Sequence, residues 1–188
     1  DEIRADIPEL VETFNRCERA QSEYEERFYS RLVLPSGANL STAARNGPHF
    51  LLASLCRVRG LLEVAIVSVN ERLPHGLFLS VRAHLETAGS VAHLKRHLQR
   101  LYRGEIGCEA FERTLVSLCL GTRWAPDQAD TERRVGISAE AINAITLVES
   151  AATVMGELCG STEARQLGND QYAYLSEYCH PNRAGRRF

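Results

Sequence analysis

The chain has 188 residues, of which 44% are hydrophobic and 24% are charged, and this composition suffices for one globular domain with a full core. The formal net charge of −2 argues against a dedicated duplex-DNA binder, which needs a large excess of positive charge. The sequence contains no apolar run long enough to cross a bilayer and no secretory signal, so we expect a cytoplasmic protein without a membrane partner.

The first half of the chain predicts three helices. Residues 7–34 place apolar side chains every three or four positions, which gives one helical stripe, and a polar loop follows as far as Pro48. Residues 49–73 are rich in leucine, valine and isoleucine, so we expect the central and most buried helix there. Pro74 separates this helix from the next one, which is predicted over residues 74–102.

The second half predicts three more helices and one long polar loop, over residues 121–137. The length of that loop indicates a functional or mobile segment. Ser138 is a suitable N-cap for the helix after the loop, and Gly160 is the expected stop of that helix. The last helix contains the pair Gly168–Asn169, at which we expect that it can break. These helices are predicted over residues 108–122, 139–159 and 161–179.

Long helices joined by mostly short links, without period-two strand patterns, predict an all-α fold. We expect an antiparallel helical bundle of about six helices. A single helical domain is expected over residues 1–188. It comprises an N-terminal helix and loop, a bundle core and a basic tail, over residues 1–48, 49–182 and 183–188.

The six cysteines include no pair with the C-x-x-C spacing of zinc sites, and most have apolar neighbours. We therefore expect small buried thiols in a reducing cytoplasm, and neither a metal nor another cofactor. The cysteines are Cys17, Cys56, Cys108, Cys119, Cys159 and Cys179.

The helix predicted over residues 74–102 carries a polar stripe beside its apolar stripe. The polar positions recur at intervals of four, three, four and three residues, so they fall within roughly 80° of one another on the helical wheel. Such a stripe can line a groove of the bundle, or Arg82 and Glu86 can form a simple salt bridge one turn apart. The stripe consists of Arg82, Glu86, Gly89, His93 and Arg96.

The end of the last predicted helix is polar and aromatic. Pro181 disfavours helical geometry at His180, so this imidazole and Asn182 lie at a helix C-terminus, where backbone carbonyls favour a protonated histidine. His180 can be a structural hydrogen-bonding residue or a general acid or base. Three preceding tyrosines serve either as core and rim aromatics or as a ligand platform. They are Tyr172, Tyr174 and Tyr178.

Two segments resemble signatures of uncharacterised bacterial helical proteins in the wider HEPN-like group. Residues 79–88 (LSVRAHLETA) are similar to the R-x-x-x-E helix of that group, and residues 174–182 (YLSEYCHPN) are similar to its Y-x-x-L-S-x-x-x-H-P ending. With the helices between them, the resemblance covers about residues 50–182. It implies a helical bundle that is often dimeric. For many members it implies a metal-independent ribonuclease in a toxin–antitoxin, CRISPR or antiphage system.

The resemblance also implies roles for single residues. The usual HEPN motif, an arginine followed after four to six residues by a histidine, is absent, because no arginine stands at that distance before His180. Arg82 would then supply the cationic contact from another helix, beside Glu86, while His180 acts as general base or acid on a ribose 2′-hydroxyl. The residues expected to bind the substrate are Tyr174, Asn182, His93 and Arg96.

Two functions from different classes follow from these patterns. The first is an HEPN-like ribonuclease or an RNA-associated defence or toxin-type protein, whose partners are RNA or a protein of a toxin–antitoxin system. The second is a non-enzymatic, homodimeric interaction or sensor module, in which Arg82, Glu86 and His180 form a buried polar network between helices. In the second case, Arg82→Ala is expected to lower the free energy of unfolding by roughly 2–4 kcal/mol, whereas in the first it leaves melting nearly unchanged.

Overall fold

The computed structural model describes residues 15, 19, 22, 23, 26, 42–121, 123–137 and 140–179. Most of the helix predicted over residues 7–34, and the whole basic tail, lie outside these residues. The chain divides into two compact units, Asp1–Val33 and Leu34–Phe188. Six helices occupy the described part of the second unit, and their packing confirms the predicted all-α bundle. They are α1 (Thr42–Asn70), α2 (Pro74–Tyr102), α3 (Cys108–Leu120), α4 (Ala125–Val135), α5 (Ala144–Cys159) and α6 (Thr162–Cys179).

The central helix of the bundle is α2, which packs against α1, α3, α5 and α6. It begins at Pro74, a residue well suited to the first turn because its fixed φ is already helical, and it ends at Tyr102 as predicted. The expectation that residues 49–73 form the most buried helix is wrong. The observed α1 begins earlier, at Thr42, includes Pro48, and leaves many of its apolar side chains exposed, because only one of its faces meets α2 and α3.

A small hydrophobic core lies where α1, α2 and α3 meet. Phe50 from α1 and Leu94 from α2 pack against Phe111 and Leu115 from α3, and all four side chains are buried. Burying side chains of this size removes most of their apolar surface from water, which stabilises the contact by about 1.5–3 kcal/mol for each side chain. The cluster therefore fixes α3 on the α1–α2 pair.

The prediction of a loop over residues 121–137 is wrong, because α4 lies within this segment. This helix has Pro126 in its first turn, and Gly136 follows its end in the left-handed conformation with φ +72°. It is short and polar, so it has no apolar periodicity to reveal it. Ion pairs from Asp130 to Arg133 (3.7 Å) and Arg134 (2.8 Å) support the helix instead.

The two last helices differ in detail from their predicted bounds. The start of α5 is at Ala144 rather than residue 139, because the side chain of Asn143 caps it by accepting a hydrogen bond from the amide of Ile145 (3.1 Å). Gly160 ends α5 as predicted, with φ +61°. The following helix α6 continues through Gly168, which packs closely on Ala152 of α5 and therefore marks a helix contact instead of a break.

The cysteines are less buried than expected. Cys56, Cys108, Cys119 and Cys159 are exposed, and Cys179 is half-buried, so the expectation of buried thiols is wrong for the first four. All five described thiols are free. Within the described ranges, no helix combines the length and apolar character that crossing a membrane requires.

Candidate functional site

Arg82 and Glu86 lie one turn apart on α2 and form the predicted salt bridge. Nε of Arg82 donates a hydrogen bond to Oε1 of Glu86 over 3.1 Å. About a quarter of each side chain is exposed, so the pair is neither deeply buried nor freely solvated. Removal of one partner is therefore expected to cost more stability than it would in a fully exposed pair.

Tyr172 from α6 completes this cluster. Its hydroxyl donates to Oε1 of Glu86 over 2.9 Å and accepts a weaker hydrogen bond from Nη2 of Arg82 over 3.4 Å. The guanidinium carbon of Arg82 also lies 5.4 Å from the centre of the tyrosine ring, within the range of a cation–π contact. These three side chains are called the Arg82–Glu86–Tyr172 network below. The network joins α2 to α6.

Protonation in the network is fixed by its surroundings. Burial alone would lower the pKa of Arg82, but hydrogen bonds to Tyr172 and Glu86 outweigh burial and raise that pKa. Burial and the hydrogen bond to Glu86 raise the pKa of the Tyr172 phenol, against the opposing effect of Arg82. The phenol therefore stays protonated and donates, while the guanidinium stays charged. This arrangement positions helices, and it leaves neither Arg82 nor Tyr172 ready to move a proton.

His93 lies between α2 and α5. The hydroxyl of Ser150 donates to the carbonyl of Thr146 (3.0 Å), so it accepts the hydrogen bond from Nδ1 of His93 (3.1 Å). Burial, followed by the charges of His97 and Arg96, lowers the pKa of His93 to about 4. The imidazole is therefore neutral at neutral pH.

The neighbouring His97 directs its Nδ1 to the carbonyl of His93 over 3.0 Å, and the two rings lie with centres 4.3 Å apart and planes tilted by 40°. Among the residues that the structure describes, no three histidine, cysteine or acidic side chains group as ligands of a metal ion.

Two of the predicted site residues that the structure describes, Arg96 and Tyr174, do not join the Arg82–Glu86–Tyr172 network. Arg96 is exposed on α2. Tyr174 is exposed on α6, where its hydroxyl donates to that of Tyr178 (2.9 Å). His180 and Asn182 lie outside the described residues.

The sequence pattern alone did not distinguish Tyr172 from the other two tyrosines. The available signal was the spacing of four and three residues among Gly168, Tyr172 and Leu175, which are buried positions of α6. Among the three tyrosines, only Tyr172 falls on that buried face.

A cavity of about 440 Å³ opens between α1, α2, α3 and α5. Side chains from four helices line it, so no local sequence motif could reveal it. Among the predicted site residues that the structure describes, Glu86 alone borders the cavity. Its wall also includes Phe50, Thr87, Ser90, Leu118 and Leu147.

Comparison of the chain with protein-family models, with curated protein sequences and with solved structures finds no match. The resemblance to HEPN-like proteins thus rests on residues 79–88 and 174–182, and the second segment is described only as far as Cys179.

Proposed function

We propose that this chain is a non-enzymatic interaction module that forms a homodimer through an apolar seam on α1. The seam is a row of apolar side chains three or four residues apart along the helix. Its members fall within roughly 80° of one another and extend over about 27 Å of the helix axis. They are Leu51, Leu55, Val58, Leu62, Ile66 and Val69.

The exposure of this seam is the observation that carries the proposal. Leu51, Leu62, Ile66 and Val69 each leave between 36% and 48% of their surface exposed, while Leu55 and Val58 between them are half-buried. Isolated exposed apolar residues are common on protein surfaces, but an apolar row of this length typically marks a contact with another protein. The C-terminal half of α1 is also apolar on its other faces, and helices of that composition are normally buried.

A second copy of the chain is the occupant that fits this seam. An isologous contact needs only one self-complementary patch, and a straight apolar row on a helix can pack antiparallel against itself. The seam carries no charged side chain that would require a complementary partner. In a twofold-symmetric dimer, one contact would thus bury the seams of both copies.

The Arg82–Glu86–Tyr172 network supports the non-enzymatic part of the proposal. Arg82, the residue expected to supply the cationic contact, is hydrogen-bonded to Glu86 and Tyr172 and therefore holds helices together. Ribonuclease activity, a role in defence and an RNA partner stay predictions that depend on the HEPN-like resemblance. Free thiols at the described cysteines support the proposal of a reducing, cytoplasmic location.

Oligomeric state tests the homodimer. Val69 lies in the seam, while Val67 lies about 160° away on the same helix, and both are exposed to a similar extent, 48% and 55%. In sedimentation equilibrium, the wild type and Val67→Glu should be dimers and Val69→Glu a monomer. A monomeric wild type, or equal dissociation of the two variants, would contradict the proposal.

An RNA cleavage assay tests the absence of catalysis. Purified protein is incubated with labelled total RNA, with and without EDTA, beside Arg82→Ala and His180→Ala variants that remain folded. We expect no cleavage above a buffer control. Cleavage that resists EDTA and disappears in His180→Ala would establish a metal-independent ribonuclease and overturn the non-enzymatic proposal.

A further inference from the structure

The cavity between α1, α2, α3 and α5 has a wall that is rich in hydrogen-bond acceptors. The hydroxyls of Ser54, Thr87 and Ser90 belong to this wall. Each donates its proton to the carbonyl four residues earlier in its own helix, over 2.8, 2.7 and 2.9 Å. Because a hydroxyl has one proton and two lone pairs, all three are left as acceptors.

Glu86 adds a carboxylate to the same wall. Its Oε1 already accepts from Arg82 and Tyr172. Within residues 42–121, 123–137 and 140–179, its Oε2 has no hydrogen-bond donor. A molecule that enters the cavity therefore gains most if it brings donors.

The remaining wall combines an apolar surface with one cation. Phe50, Leu118 and Leu147 supply the apolar part. Arg57 also borders the cavity, is exposed, and forms no ion pair with any residue for which the structure gives a position. Since Arg82 already pairs with Glu86, Arg57 is the cation available to an anionic group.

We propose that this cavity binds a small organic anion whose apolar body carries a hydrogen-bond donor. The anionic group, a carboxylate in the simplest case, pairs with Arg57. The body packs on Phe50, Leu118 and Leu147, and its hydroxyl or amino group donates to Glu86 and the wall hydroxyls. A volume of about 440 Å³ is in the range of known small-molecule sites. The site is independent of the homodimer, because it uses none of the α1 seam residues.

Cys119 provides a reporter in the native protein, because it borders the cavity. Cys119 as a whole is exposed, but partial burial of its sulfur raises the pKa of the thiol, so alkylation is slow and can be followed by peptide mass spectrometry. Cys108 lies on the same helix, does not border the cavity and serves as the internal reference.

The probes are 4-aminobenzoate and 4-hydroxybenzoate, with benzoate lacking the donor and 4-aminobenzamide lacking the anion. At about 10 mM, either donor-bearing acid should slow alkylation of Cys119 by iodoacetamide at least threefold and leave Cys108 unchanged. Benzoate and 4-aminobenzamide should protect Cys119 less. If neither acid protects Cys119, or if benzoate protects it equally well, the proposed ligand class is wrong.

The charge of Arg57 is tested with a matched pair of variants on α1. Arg57→Gln should abolish protection by 4-aminobenzoate. Arg59→Gln removes a charge two residues away, from an exposed pair with Glu63, and should keep the protection. Equal protection in both variants would remove Arg57 from the site. Thermal melting of each variant confirms that it is folded before labelling.

Discussion

The hydroxyl oxygen of Tyr172 lies 2.9 Å from Oε1 of Glu86, and this hydrogen bond links the middle of α2 to α6. The same hydroxyl accepts from Arg82 over 3.4 Å, so one oxygen serves both members of an ion pair. A phenol can do this because it has a donor and an acceptor on one atom. The contact thus depends on the Tyr172 hydroxyl as well as on the ring.

Tyr172→Phe removes the hydroxyl and keeps the ring. We expect the free energy of unfolding to fall by about 1–2 kcal/mol, because Glu86 and Arg82 each lose a partly buried partner. Urea unfolding followed by circular dichroism measures the change. Tyr174→Phe is the control: this side chain is exposed, its hydroxyl donates to that of Tyr178 and to no other group among the described residues, and no measurable loss is expected. Equal losses of unfolding free energy in the two variants would show that the hydrogen bonds of the Tyr172 hydroxyl do not specifically stabilise the fold.

Arg82→Ala leaves Glu86 with one donor fewer at a site that is three-quarters shielded. The expected loss of unfolding free energy is about 1–3 kcal/mol. Arg59→Ala breaks a pair of the same i,i+4 spacing that is mostly exposed, and its expected loss is at most about 0.5 kcal/mol. The two variants are compared by urea unfolding under identical buffer conditions. A loss at Arg82 no larger than that at Arg59 would contradict a structural role.

Gly89→Ala tests the closest approach of α2 and α5. A Cβ at residue 89 would overlap the backbone carbonyl of Leu147, which cannot rotate away, so the helices must separate. We expect a loss of roughly 1–3 kcal/mol in unfolding free energy. Gly60→Ala lies in the interior of α1, where no described atom beyond the neighbouring helix backbone comes within 4 Å of the new Cβ, and it should instead gain about 0.5–1 kcal/mol from helix propensity. Thermal denaturation should separate the two variants by several degrees, in opposite directions from the wild type.

His93 should make stability depend on pH below neutrality. Its folded pKa of about 4 is lower than the unfolded value of about 6.5, so the unfolded chain binds the extra proton between these limits. The contribution of the neutral His93 to the free energy of unfolding is complete above pH 6.5 and is lost as the pH falls towards 4. Urea midpoints of the wild type should therefore fall faster over this range than those of His93→Gln. Parallel midpoint curves for the two proteins would show that His93 takes up its proton in the folded state as readily as in the unfolded chain, so that folding does not lower its pKa.

The sequence predicted α2 well for identifiable reasons. Pro74 at its start and Gly104 after its end are local signals, and neither depends on distant residues. The short helix α4 was missed because it is held by pairs such as Asp130–Arg134 and has no apolar face to reveal it. The exposure of α1 could not be predicted, because composition shows that a helix is apolar but not how many neighbours cover it.

The candidate site was predictable only in part. Spacing alone indicated the Arg82–Glu86 pair, since side chains four residues apart on a helix must be neighbours. The partner from α6 depends on the rotation of that helix, which selects Tyr172 and leaves Tyr174 outside. His93 was expected in a substrate groove, but the structure places it against Ser150, because α5 covers that stretch of α2. The cavity is formed by side chains from four helices, so no local sequence pattern could predict it.

Glu86 belongs both to the contact between α2 and α6 and to the cavity wall. A molecule that donates a hydrogen bond to the Glu86 carboxylate changes the strength of the hydrogen bond between Glu86 and Tyr172. In turn, a shift of α6 changes the affinity of Glu86 for that molecule. Thermodynamic linkage makes the two effects equal in free energy. One carboxylate thus couples occupancy of the cavity to the packing of α6 against α2.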